Sequence, residues 1–328
     1  MGQNLTEPVI TRETASCANS LYKVGSSCMQ GWRISMEDAH THLLAVPDDN
    51  DAAFFAVYDG HGGSAVSEYA GNHLHKLIVT NPAYVEGRIE EGIKQGFLAL
   101  DEMIRNDKTM KLDKSGSTAV VVIIKDNKIY CGNVGDSRAV VSVRGVAKPL
   151  SLDHKPVNAN ERQRIYAAGG YVELNRVNGN LALSRALGDF SFKTDLDRSA
   201  EEQIITAYPD VTVEKLTDDH EFLILACDGI WDVMSNQEVV DFCRKFLSSG
   251  QPPEKICERL LGHCLSPDGR MGGVGSDNMT VVLVCLLQGK SDEDFKKHCL
   301  RIVDEESKDG DMCHMCEEVA FVFACSIS

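Results

Sequence analysis

The sequence predicts an α+β fold in which antiparallel sheets are covered by helices, and three patterns carry that expectation. Short β-branched and aromatic runs recur along the chain, pairs of them meet at two-residue turn signals, and longer stretches hold apolar residues three and four apart. Residues 53–58 (Ala-Phe-Phe-Ala-Val-Tyr) read as a buried strand. Residues 118–124 and 128–134 are β-branched runs joined through Asp126-Asn127, a hairpin signal. A second hairpin is expected over 139–143 and 146–150, turning at Arg144-Gly145. Residues 222–227 and 279–287 are two further continuous apolar strands. Helical spacing marks residues 64–79 and 85–104. Ser235 and Glu238 form a capping box that opens a helix to about residue 247, and Pro253 stands at a first helical position before residues 254–264.

The organisation that follows is a polar, mobile N-terminal lead over 1–20, one folded domain over 21–288 and an acidic C-terminal tail over 289–328. The tail holds five Lys/Arg against ten Asp/Glu and reads as a partly disordered appendage. No apolar run approaches the roughly 20 residues of a spanning helix, and the polar N-terminus lacks a signal-peptide core. A cytoplasmic or nuclear protein is the expectation. The twelve cysteines are scattered, and Cys131, Cys227 and Cys285 lie inside apolar runs, which suits reduced, buried thiols. Cys313 and Cys316 make a lone CxxC with no second pair at zinc-finger spacing. A net charge of −16 argues against nucleic-acid and anionic-lipid partners, which need a basic footprint.

The placement of the acids is more informative than their number. The strand over 54–58 ends in Asp59-Gly60-His61-Gly62-Gly63, the strand over 222–227 ends in Asp228-Gly229, and the strand from Met279 begins just after Ser276-Asp277-Asn278. Glu37-Asp38 follows Arg33 at a spacing of four. Carboxylates at strand ends converge on one rim, and several buried together repel unless cations neutralise them. Hard oxygen ligands suit Mg²⁺ or Mn²⁺ rather than zinc. Each piece has a bland alternative: an Asp-Gly after a strand is usually a plain turn, and a lone Arg33 or His61 a surface or loop residue. Four acidic clusters tied to core strands make coincidence a poor explanation.

These runs, in this order, resemble one family. They are residues 31–40 (Gly-Trp-Arg-Ile-Ser-Met-Glu-Asp-Ala-His), 55–63 (Phe-Ala-Val-Tyr-Asp-Gly-His-Gly-Gly), 115–119 (Ser-Gly-Ser-Thr-Ala) and 135–138 (Gly-Asp-Ser-Arg). They continue with 182–189 (Ala-Leu-Ser-Arg-Ala-Leu-Gly-Asp), 226–232 (Ala-Cys-Asp-Gly-Ile-Trp-Asp) and 275–280 (Gly-Ser-Asp-Asn-Met-Thr). The chain is similar to the metal-dependent, type 2C Ser/Thr protein phosphatases from about residue 22 to residue 288. The resemblance implies a four-layer α-β-β-α sandwich and hydrolysis of phosphoserine and phosphothreonine in protein substrates. It implies two Mg²⁺ or Mn²⁺ ions per subunit. Asp59 would bridge them, Asp228 and Asp277 would complete one site, and Glu37 with the Gly60 carbonyl would serve the other. Asp38 would orient metal-bound water, Arg33 would grip the phosphate, and His61 would protonate the leaving alkoxide. The rival role for His61 is structural, holding the Asp59 turn.

A weaker third metal site is implied at Asp136, Asp228 and Asp232, and a mobile substrate-shaping flap at about 153–194. Gly2 fits an N-myristoylation pattern, which would attach the protein peripherally to membranes, while Cys325 formally fits prenylation against an acidic flank. A monomer is the family-like expectation. The alternative function is a pseudophosphatase, a regulatory binding module on the same fold. The presence of Glu37, Asp38, Asp59, Asp228 and Asp277 weighs against it.

Overall fold

The computed structural model describes residues 4–268 and 273–300 of the chain. Two antiparallel sheets stack face to face. The first runs in the order β1 (Asn4–Ala18), β2 (Tyr22–Arg33), β16 (Met279–Leu286), β15 (His220–Ala226), β9 (Arg138–Val143) and β10 (Val146–Pro149). The second runs β14 (Asp210–Lys215), β8 (Lys128–Val134), β7 (Ala119–Lys125), β4 (Ala53–Tyr58) and β3 (Ala39–Leu43). A small ribbon of β13 (Leu187–Gly188), β6 (Gly116–Ser117) and β5 (Gly60–His61) sits at the site end, and β11 (Val172–Glu173) pairs with β12 (Arg176–Val177). Helices α1 (Ala65–Val79), α2 (Pro82–Val85) and α3 (Ile89–Asn106) pack on the second sheet. Helices α5 (Asp228–Trp231), α6 (Asn236–Ser248), α7 (Pro253–Cys264) and α8 (Asp292–Leu300) pack on the first. A further helix, α4 (Ala159–Ala167), lies in the segment expected to be the flap.

The two-residue period of the strands builds these layers. Phe55 and Val57 of β4 point between the sheets with Val120, Val122, Leu223, Leu225, Val282 and Val284. Their neighbours Phe54, Ala56 and Tyr58 point the other way, against Leu74, Ile78, Ile93 and Phe97. Strand β15 does the same, turning Ile224 and Ala226 outward to meet Val240, Ile256 and Leu260. Strands covered on both faces therefore read as unbroken apolar runs. Burying each of the Val, Leu, Ile and Phe side chains among these stabilises the fold by about 1.5–3 kcal/mol, so Phe55→Ala is expected to cost about 3–5 kcal/mol. The four-layer sandwich is as the resemblance implies. Both expected hairpins form, with Asp126, Asn127, Arg144 and Gly145 all at positive φ as their tight turns require. The capping box at Ser235 and Glu238 is present.

Three expectations need correction. The N-terminal lead is not loose over residues 4–18: it forms β1, paired with β2 along the edge of the first sheet. Its side chains are mostly exposed because backbone bonding to β2, rather than burial, holds it, so its polarity hid it. The helix expected over 85–104 begins later, as α3 at Ile89, because Glu86-Gly87-Arg88 separates it from the short α2 and Gly87 takes a φ of 87°. The start of the acidic tail is α8, which buries Phe295 and Cys299 against α6 and β15. Gly2, Cys313, Cys316 and Cys325 lie outside the described residues. Among the described residues no helix is long and apolar enough to cross a membrane.

Candidate active site

The strand ends converge as expected on one cavity of about 440 Å³, lined by Arg33, Glu37, Asp59, Gly60, His61, Asp136, Asp228 and Asp277. Each residue arrives by a short route from the core. Asp59 and Gly60 leave β4, with the Asp59 amide donating to Thr118 Oγ1 at 3.2 Å and the Asp59 carbonyl accepting from the Thr118 amide at 2.9 Å. Asp228 opens α5 directly after β15, and Asp277 precedes β16. The Glu37 loop is tied to Asp277's neighbour, because the Glu37 amide donates to Asn278 Oδ1 at 3.0 Å and Asn278 Nδ2 donates to the carbonyls of Gln30 and Ser35. Ser67 Oγ bonds the Glu37 carbonyl from α1. Gly60 is required here: a Cβ at that position would lie 2.1 Å from the Glu37 carbonyl oxygen.

Two groups of ligand atoms each lie within 4.8 Å of one another: Asp38, Asp59 and Cys227, and Asp59, Asp136 and Asp228. Asp59 belongs to both. Burial, then the facing carboxylates of Asp228, Asp38, Asp136 and Asp277, hold Asp59 well above the usual carboxylate range. Burial and then Asp136, Asp277 and Asp232 do the same to Asp228. Burial pushes Asp38 up to about 7, against the opposing hydrogen bond from Thr280. Thr280 Oγ1 donates to Asp38 Oδ2 at 2.7 Å and the Cys227 thiol also hydrogen-bonds the carboxylate, while no further partner meets the buried Oδ1. The Cys227 thiol is held far above its ordinary value, by burial first, so it offers a protonated sulfur rather than a thiolate ligand.

Mutually repelling carboxylates, an orphaned buried oxygen and a glycine-made gap fit hard divalent cations. Glu37 and Asp277 line the same cavity without belonging to either close group, and Ser35 Oγ donates to Glu37 Oε1 at 2.9 Å. Asp277 is engaged by Arg33, whose Nη2 donates to its Oδ2. Asp136, buried at 4% exposure, is bonded by Lys155 Nζ. Burial pushes Asp136 up and Lys155 counters it; on Lys155 itself burial is outweighed by Asp136 and the neighbouring acids, which raise it. Asp232 faces an adjoining cavity that shares Arg33, Asp228 and Asp277.

Three residues to which the sequence reading gave no role stand at the site. Lys155 neutralises Asp136, Arg176 of β12 lines both cavities, and Asp189 Oδ2 lies 2.7 Å from His61 Nε2. Asp189 closes the 182–189 run that carried the resemblance, whereas Lys155 and Arg176 carry no local signal, because the fold of the 153–194 segment brings them to the rim. The expected flap contributes Arg176, Leu181, Ala182 and Leu183 to the wall and has a small core of its own from Ile165, Val177, Ala186 and Ile205. Ion pairs from Arg164 and Arg185 to Glu161 brace that core.

The family profile described as Protein phosphatase 2C matches residues 22–270. A probable protein phosphatase 2C of Caenorhabditis elegans is 60% identical over 325 residues, covering 98% of this chain and 91% of that protein. Protein phosphatase 2C homolog 2 of Schizosaccharomyces pombe is 48% identical over 300 residues, covering 90% and 81% respectively. The fold is shared with the crystal structure of a serine-threonine phosphatase 2C from Toxoplasma gondii, at a TM-score of 0.71 and 24% identity, over 83% of this chain and 99% of that one. With the acidic site, the sandwich and these matches together, the chain belongs to the protein phosphatase 2C family.

Proposed function

We propose that this protein hydrolyses phosphoserine and phosphothreonine in protein substrates with water activated at a pair of divalent cations, Mg²⁺ or Mn²⁺. The observation that carries the reading is Asp59, a buried carboxylate crowded by those of Asp228, Asp38, Asp136 and Asp277, whose mutual repulsion bound cations would offset. Asp228 and Asp277 would complete one position and Glu37 with the Gly60 carbonyl the other. Asp136 and Asp232, with Asp228, would serve a weaker third. Bound ions would lower the pKa of a coordinated water and offset charge on the phosphoryl oxygens.

The remaining work falls to the chain's own side chains. Asp38 holds one oxygen fixed by Thr280 and has Oδ1 free to accept a hydrogen bond from the attacking water, which orients it. Arg33, which here bonds Asp277, has a planar fork that matches phosphate geometry and would be free for it if Asp277 served a cation. His61, at the cavity wall, is the group able to give a proton to the departing serine or threonine oxygen. Burial holds the Cys227 thiol beside Asp59 far above its ordinary value, so it gives a thiolate nucleophile no support.

The rival reading is a pseudophosphatase that binds partners without turnover. Titration calorimetry with Mn²⁺, paired with turnover of a phosphothreonine peptide and of DNA, separates the two. Binding of two ions with phosphopeptide hydrolysis and no DNA cleavage is expected. Phosphopeptide binding without hydrolysis would hand the case to the pseudophosphatase.

A further inference from the structure

The three-stranded ribbon at the cavity edge brings together two side chains 128 residues apart in sequence. His61 of β5 stands opposite Gly116 of β6, and Gly188 of β13 stands opposite Gly116 on the other flank. Asp189 follows Gly188, and its Oδ2 reaches across to His61 Nε2 at 2.7 Å. The crossing is open only because residue 116 has no side chain. A Cβ there would lie 2.3 Å from Asp189 Oδ2 and 2.4 Å from His61 Nε2. Asp189 is buried, at 8% exposure, and holds a left-handed backbone with φ 49°.

A second, buried ion pair fixes this arrangement from behind. Lys193 Nζ donates to Asp101 Oδ1 and Oδ2 at 2.8 and 2.9 Å and to the Ala186 carbonyl at 2.9 Å. Asp101 Oδ1 also accepts from the Gly188 amide at 2.8 Å. Helix α3 thus grips both ends of the turn that carries Asp189, and the carboxylate has little freedom to leave His61.

We infer that Asp189 is a positioning residue for His61, holding the ring by Nε2 so that Nδ1 is the nitrogen presented to the leaving-group oxygen. The inference rests on the reading of His61 as proton donor. No hydrogen bond to Nδ1 is found among the described residues, and His61 lines the cavity. When the substrate alkoxide departs, the Nδ1 proton passes to its oxygen, the P–O bond breaks, and the Nε2 proton stays between ring and carboxylate. The carboxylate favours the ring orientation and the tautomer that this transfer needs.

The test compares a poor leaving group with a good one. Phosphothreonine peptide needs protonation of its leaving oxygen, whereas p-nitrophenyl phosphate does not. His61→Gln is expected to lower kcat on the peptide roughly 100-fold while leaving p-nitrophenyl phosphate within a few fold. Asp189→Asn should lower peptide kcat roughly tenfold with KM unchanged, and should add nothing to His61→Gln in the double variant. Full peptide turnover in Asp189→Asn would overturn the inference. So would equal loss on both substrates, or losses that multiply in the double variant, since these are the marks of a structural role. An inert His61→Gln would sink the proton-donor reading itself, a separate failure. Nitrogen-15 spectra of wild-type His61 provide a check that needs no variant: the neutral ring should carry its proton on Nε2, and a proton on Nδ1 in that state would contradict the arrangement.

Discussion

The Arg33 guanidinium donates through Nη2 to Asp277 Oδ2, so the residue suited to grip phosphate is held by a residue suited to hold metal. The two proposed tasks would therefore be linked: a cation engaging Asp277 would free Arg33 for the substrate. Phosphate binding should tighten when Mn²⁺ is present, and Mn²⁺ binding should tighten equally with phosphate, as linkage requires. Calorimetry in both orders measures this. Independent affinities would mean that the pair does not gate the site.

Arg33→Ala should raise KM for a phosphopeptide about tenfold and weaken inhibition by phosphate, because the fork makes two charge-assisted bonds. Steady-state kinetics decide it. An unchanged KM with unchanged phosphate inhibition would remove Arg33 from substrate binding.

Removing one of the repelling carboxylates should strengthen the metal-free fold while weakening metal binding. Asp59→Asn is expected to melt roughly 2–4 °C higher than wild type without metal, the shift that about 1 kcal/mol produces in domains of roughly 150–250 residues. The same variant should lose most Mn²⁺ affinity and turnover. A lower melting point in the absence of metal would show that Asp59 is not strained by its neighbours.

The pH dependence of that difference has a definite sign. Asp59 and Asp228 lie well above the ordinary carboxylate range, and Asp38 lies near 7. Between about pH 4 and 7 the folded state then holds protons that the unfolded chain has lost, so these groups lower stability as pH rises. Buried His40, lowered to about 4 by burial and then His42, acts oppositely, its contribution being lost as pH falls from 6.5 towards 4. The difference between Asp59→Asn and wild type cancels the histidines. It should widen from pH 5 to pH 8 in differential scanning calorimetry without metal; a flat difference would contradict the raised carboxylates.

The parts of this site legible in the sequence are those that sit at the ends of long apolar strands. Asp59 and Asp228 follow residues whose burial on both faces writes an unbroken hydrophobic run, so the rim is marked by the core beside it. Strand β2 escaped notice for the opposite reason. Gly25 is bare because α7 lies directly against it, with Pro253 and Glu254 over it, while Ser26 on the other face meets His40 of the second sheet. Low β-propensity there reflects packing room rather than a loop. The Lys155–Asp136 and Asp189–His61 contacts, 19 and 128 residues apart, join separate elements, and no local periodicity encodes them. Short range reveals strands and turns; long range decides which charges meet.

The most direct test of the central claim is phosphate release from a phosphothreonine peptide, measured with MnCl₂ or MgCl₂ and again after EDTA. Turnover that requires the metal, vanishes with EDTA, returns on adding Mn²⁺ and ignores thiol-blocking reagents is the result expected. Turnover that persists in EDTA, or that thiol blocking abolishes, would contradict a metal-activated water and point to a nucleophile on the chain itself.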